Sequence, residues 1–188
     1  MSVIVGMTFA LFTDTNSIRN HLQAGTLDAT LKRTYLEYTV LDDSGKLEKI
    51  TNSDAVDFTG SVGENVFGIE SEDIRIVPGS YFKAQMQIEN GGNVAFTYNV
   101  GIKLVGESNA LVDQLQVTVT HPDGHKTTKL LGEMVNGFQI NVDKMLSGAQ
   151  PHSFTIEISF INDTTVNNAA QTKLAVFDLV VTAVQATD

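Results

Sequence analysis

Two imidazoles flank a carboxylate in His121-Pro122-Asp123-Gly124-His125. On a helix, histidines at i and i+4 would share a face and could grip a metal. Pro-Asp-Gly is instead a tight-turn sequence, so the expectation is a strand-to-strand turn with two solvated histidines at its tip. The acidic pairs Asp42-Asp43 and Glu72-Asp73 fall in turn and loop segments. Nothing in sequence fixes the carboxylate separation that a glycosidase couple needs. The chain has no His-Glu-x-x-His, no Gly-x-Ser-x-Gly, no phosphate-cradling glycine loop and no dinucleotide fingerprint. With no cysteine there is no disulfide framework, no thiolate zinc ligand and no cysteine nucleophile. Four tyrosines and no tryptophan are thin for a sugar-binding platform. The residues therefore assign no catalytic group, no metal ligand and no cofactor, and the expectation is a protein that is not an enzyme.

The elements that would position any site read as strands. Val94, Phe96, Tyr98, Val100, Ile102 and Leu104 alternate with Ala95, Thr97, Asn99, Gly101 and Lys103, the period-two pattern of a half-buried strand. Upstream, Phe82, Ala84, Met86 and Ile88 alternate in the same way, and Asn90-Gly91-Gly92-Asn93 between the two runs predicts a hairpin with positive-φ residues in its turn. Leu115 to Val119, Phe138 to Val142 and Phe154 to Phe160 give three more. Leu174 to Val184 is apolar in both registers and is expected to be covered on both faces. Leu27, Ala29 and Leu31 are followed by Leu36, Tyr38 and Val40 on the opposite parity, which predicts a β-bulge between Lys32 and Tyr35. Asp42 to Gly45 is a turn, and Thr51 to Asp73 reads as a long surface loop with short edge strands. Helical periodicity is confined to Asn109–Gln114 and Asp143–Leu146. Some eight or nine strands in one domain predict an all-β fold, a two-sheet antiparallel sandwich of jelly-roll type.

Composition agrees with one folded domain. The chain has 188 residues, 42% of them hydrophobic, enough for a proper core. Twenty-two acids against twelve bases give a formal charge of −10. That charge opposes phosphate backbones, so no nucleic acid partner is expected.

The N-terminus stands apart. Ser2 to Phe12 is an uncharged, mostly apolar run, too short for a membrane span of about 20 residues. It matches the apolar region of a secretory signal peptide, with Thr8-Phe9-Ala10 as a small-x-small cleavage site that would start the processed chain at Leu11. The alternative is a first β-strand. A polar tether, Thr13 to Gln23, follows, and the sandwich opens at Ala24. An open sheet edge pairs readily with an extended strand of another chain, and a free N-terminal strand is a natural donor. The expected organisation is thus a signal remnant or apolar strand over 1–10, a donor strand and tether over 11–23, and the sandwich over 24–188. Leu11, Phe12, Thr13, Asp14 and Thr15 are the candidate donor residues; Leu11 and Thr13 would face one way, Phe12 and Asp14 the other.

Gly6-Met7-Thr8-Phe9-Ala10-Leu11-Phe12-Thr13-Asp14-Thr15, followed by Leu22-Gln23-Ala24-Gly25-Thr26-Leu27-Asp28, resembles the start of the TasA/camelysin family of exported bacterial matrix proteins. The resemblance continues in Val77-Pro78-Gly79-Ser80 before a strand and Glu89-Asn90-Gly91-Gly92-Asn93-Val94-Ala95 after it. It implies a jelly-roll subunit of extracellular fibres or biofilm matrix, secreted with the help of a dedicated signal peptidase and located in the matrix or at the bacterial cell surface. It also implies polymerisation with other copies of the chain through an N-terminal donor strand, possible accessory or anchoring matrix proteins, and no stable membrane span after processing. Two departures are visible: the chain lacks the long lysine-rich insertions and tail of the best-known member, and it has no basic region before the apolar run. The camelysin branch carries a metallopeptidase label, for which this sequence offers no ligand set. A cell-surface metallopeptidase and a monomeric surface adhesin or carbohydrate-binding sandwich are the alternative functions.

Overall fold

Alternating apolar residues give each strand one face that must leave water, and two sheets stacked on those faces are the simplest way to bury them. The computed structural model has this arrangement. It describes residues 2–9, 28–42, 44–58, 67, 76–105, 107–134, 138–141, 145–161, 167–170, 173 and 175–186. In chain order the strands are β1 (Ser2–Phe9), β2 (Ala29–Leu41), β3 (Leu47–Asn52), β4 (Val56–Asp57), β5 (Tyr81–Asn90), β6 (Phe96–Val105), β7 (Leu115–Thr120), β8 (Lys126–Leu130), β9 (Phe138–Asn141), β10 (His152–Phe160) and β11 (Val176–Gln185). Helical structure among the described residues is limited to the 3-10 turns Val112–Gln114, Leu131–Met134 and Asn167–Ala170.

One sheet runs β1-β11-β6-β9; the other runs β3-β2-β5-β10-β7-β8, with β4 also paired to β2. All pairings are antiparallel. Setting β2 to β4 aside, the remaining strands pair as nested couples: β1 with β11, β5 with β10, β6 with β9 and β7 with β8. A long hairpin rolled on itself gives this nesting, which is the jelly roll expected from strand number and size. The segment β2 to β4 widens the second sheet beyond β5.

The core lies between the sheets. Phe82, Ala84, Met86 and Ile88 of β5, Phe154, Ile156, Ile158 and Phe160 of β10 and Leu115, Val117 and Val119 of β7 face Phe96, Tyr98, Val100, Ile102 and Leu104 of β6 and Phe177, Leu179 and Ala183 of β11; all are buried. Each large side chain so buried contributes about 1.5–3 kcal/mol. The Tyr98 hydroxyl, inside this core, is satisfied by His152 Nδ1 at 3.0 Å.

The bulge falls where the parity change placed it: the β2–β5 register shifts between Arg33 and Tyr35. β11 is buried on its inner face and half-buried on the outer one at Val176, Val180 and Val184. The expected β5–β6 hairpin is corrected. β5 pairs with β2 and β10, β6 with β11 and β9, so residues 91–95 cross from one sheet to the other. Nor do Gly91 and Gly92 take positive φ. The Asn90 side chain holds this connection, its amide donating to the Val94 carbonyl (2.9 Å) and its oxygen accepting from Gly92 N–H (3.0 Å). Gly91 serves close approach instead: a Cβ there would lie 2.8 Å from an Asp28 carboxylate oxygen. In the second helical candidate, Met145 forms a β-bridge with Phe96.

Candidate functional site

Among the described residues, β1 is the outermost strand of its sheet and pairs with β11 alone. The pairing is continuous, from Ser2 opposite Val184 to Phe9 opposite Phe177. Positions 3, 5, 7 and 9 stand opposite 183, 181, 179 and 177, the parity on which Ala183, Leu179 and Phe177 are buried. Val3, Val5, Met7 and Phe9 thus share that register parity, and Ser2, Ile4, Gly6 and Thr8 share the other. A slip by one residue would exchange the two sets. On its other side β11 is paired with β6 over its whole length. Removing β1 would leave the inner strand of the sheet with an open edge. The expected donor residues Leu11, Phe12, Thr13, Asp14 and Thr15 lie outside the described residues.

A polar cluster occupies the outer face of the wider sheet. Glu37 on β2 accepts hydrogen bonds from the hydroxyls of Tyr35 and Tyr81, both at 2.7 Å, and Lys49 approaches to 3.5 Å. Tyr35 and Glu37, two residues apart on β2 beyond the bulge, share a face, and antiparallel pairing of β2 with β5 brings Tyr81. The two phenols, Tyr81 first, hold the Glu37 carboxyl down at about 2, against its ordinary 4.5. Burial and the bond to Glu37 raise Tyr81 to about 12. This cluster ties the β2 extension to the jelly roll. Its sequence signal was only that Tyr35 and Glu37 share parity, and Tyr81 is too distant in the chain to be linked with them.

At the β7–β8 turn, His121 N–H donates to the His125 carbonyl at 2.8 Å and closes the hairpin, and Gly124 takes the positive φ (85°) that the turn requires. Asp123 caps the turn by accepting from His125 N–H at 2.8 Å. The two imidazoles are not independently solvated. Their ring centres lie 5.0 Å apart, and His121 Nε2 lies 2.9 Å from Thr127 Oγ1. Partial burial, and to a smaller degree the neighbouring His125, lower the His121 pKa, while Asp123 opposes the shift.

Asp42 also organises a turn. Its carboxylate accepts from the Ser44 hydroxyl (2.7 Å) and from the N–H groups of Lys46 (2.8 Å) and Ser44 (2.9 Å), and these bonds lower its pKa. Its neighbour Asp43, and Glu72 and Asp73, lie outside the described residues. Near the bulge, a cavity of about 440 Å³ is lined by Arg33, Leu36, Tyr38, Ile50, Asn52 and Phe67 among others. Burial lowers the Arg33 pKa, and its guanidinium sits 6.0 Å from the centre of the Phe58 ring. Among the described residues, no three His, Asp or Glu side chains converge as a metal-binding group. No helix among them is long and apolar enough to cross a membrane. No protein-family model matches the chain, and no curated protein matches it.

Proposed function

We propose that this chain is a secreted structural subunit of an extracellular bacterial fibre or biofilm matrix, and that it polymerises by placing β1, kept in the mature chain and acting as donor in place of the expected Leu11–Thr15 segment, on the β11 edge of a neighbouring sandwich. The observation that carries this reading is the position of β1: it closes the jelly roll, yet among the described residues it pairs with one strand, and it joins the rest of the fold through residues 10–28. The resemblance of residues 6–28 to the TasA/camelysin family supports a fibre subunit with an N-terminal donor, although the donor it implies begins at Leu11 and not in β1.

The physical argument is one of equivalence. A β1 from a second copy would make the same ladder bonds, each worth about 0.5–1.5 kcal/mol net, and would place the same apolar residues in the same register. The contacts therefore do not choose between a strand from the same chain and one from a neighbour. The tether chooses. Residues 10–28 can reach at most about 65 Å when extended, whereas a domain of this size is about 40 Å across. A neighbour's edge is within range. Tethering gives the chain's own strand an effective concentration in the millimolar range, so the dilute chain closes on itself and the concentrated chain assembles.

Electron microscopy and light scattering of the full chain and of a form lacking Met1–Asn20 test the proposal. The full chain is expected to form fibres on concentration. The truncated form is expected to stay folded by circular dichroism, to remain monomeric at low concentration, and to form none. Fibres from the truncated form would place the contact elsewhere.

A further inference from the structure

We propose that the tip of the β7–β8 hairpin is a two-histidine chelate for a divalent transition metal of the Zn2+, Ni2+ or Cu2+ type, bound by the imidazoles of His121 and His125. The hairpin supplies the preorganisation. The 2.8 Å bond from His121 N–H to the His125 carbonyl fixes the two residues opposite one another, and Asp123 and Gly124 hold the turn between them.

The ring separation fits coordination. A metal–nitrogen bond is about 2.0–2.1 Å, and the ring centre lies about 1.1 Å beyond the nitrogen, so each centre would sit about 3.2 Å from a shared ion. Ring centres 5.0 Å apart then subtend about 100° at that ion, between octahedral and tetrahedral angles. The His121 ring is already held by Thr127 Oγ1 at 2.9 Å from Nε2. With Nε2–H donating to that oxygen, Nδ1 keeps its lone pair for the ion, the arrangement in which a metal-bound histidine passes its second N–H to an outer partner. His125, exposed and opposite it across the turn, supplies the second nitrogen.

Imidazole donors select borderline transition metals over Mg2+ and Ca2+, which prefer oxygen. The acidity of the chain, −10 overall, draws cations toward it. Two protein donors leave the remaining positions to water or to a side chain of a second molecule, so the site is a chelate on a surface tip and not a closed structural centre. Of the four histidines, His152 has its Nδ1 engaged by Tyr98, so His121 and His125 can be followed against few other imidazoles.

The test is a titration of the full chain with zinc chloride and, separately, nickel chloride, followed by calorimetry and by imidazole NMR resonances. One equivalent is expected to bind with the His121 and His125 signals moving together. His121→Asn and His125→Asn are each expected to weaken binding about tenfold or more, because each removes one arm of a chelate. Thr127→Val, which keeps both donors and frees one ring, is expected to weaken it by less than either, with all three variants folded by circular dichroism. Binding that fails to saturate, or that is unchanged in either single histidine variant, would overturn the proposal and leave only adventitious attraction of cations to an acidic surface.

Discussion

Replacing Glu37 with glutamine removes a charge while keeping its shape, and so isolates what the outer-face cluster contributes. The carboxylate accepts two hydroxyl bonds at 2.7 Å. Bonds to a charged group are worth about 1.5–3 kcal/mol against about 0.5–1.5 for neutral pairs. The Glu37 side chain is 16% exposed, so solvent screens these bonds only in part, whereas Lys49 is 58% exposed and its ion pair adds little. A loss of about 1–3 kcal/mol at neutral pH follows for Glu37→Gln. The sign of the pH dependence follows from linkage. The folded-state pKa is depressed to about 2 from 4.5, so the contribution is fully present above 4.5 and disappears as pH falls from there through 2. Urea denaturation of both proteins at neutral and strongly acidic pH, read by circular dichroism, should show a gap that closes on acidification. Equal stability at neutral pH, or a gap that persists unchanged in acid, would refute the reasoning.

Met86, fully buried on β5, should cost about 2–5 kcal/mol when replaced by alanine, measured as a fall in denaturation midpoint at constant slope. Gly124→Ala should cost about 1–2 kcal/mol from φ alone, since a Cβ there meets nothing within 4 Å at φ +85; a loss near zero in thermal unfolding would contradict the turn geometry. Tyr81, raised to about 12 from 10.0, contributes stability that is complete below pH 10 and is lost as pH rises through 12. Tyr81→Phe should flatten that alkaline loss in a pH series of unfolding curves.

Much of the sandwich is legible wherever a strand has one wet face. The alternation in Phe82–Ile88, Phe96–Leu104 and Phe154–Phe160 predicts both the strand and its buried side. The change of parity after Leu31 marks the bulge at Arg33–Tyr35, because a register shift moves the apolar set by one. β8 carries no such signal: Lys-Thr-Thr-Lys-Leu on an edge buries too little to show a period. β3, exposed along its whole length, escapes for the same reason. The turn after β5 misleads because turn chemistry is local; Asn-Gly-Gly-Asn suits a hairpin and equally a crossing between sheets. At the N-terminus, one short apolar run serves equally as a signal segment or as a strand, and only the long-range pairing with β11 gives its register. The edge that β1 covers was illegible for that reason, as were the contacts of Glu37 with Tyr81 and of His121 with Thr127.

The chain has no cysteine, so a pair introduced across β1 and β11 reports directly on whose strand lies on whose edge. Val5 stands opposite Val181 and Gly6 opposite Val180, and one of these neighbouring pairs must be of the close, non-hydrogen-bonded kind suited to a disulfide. Val5→Cys/Val181→Cys and Gly6→Cys/Val180→Cys, oxidised in dilute monomer and again after fibre formation, are separated on non-reducing gels. The account predicts an intramolecular bridge in the monomer and a ladder of covalent oligomers from the fibres. Fibres whose bridges remain within single chains would contradict it.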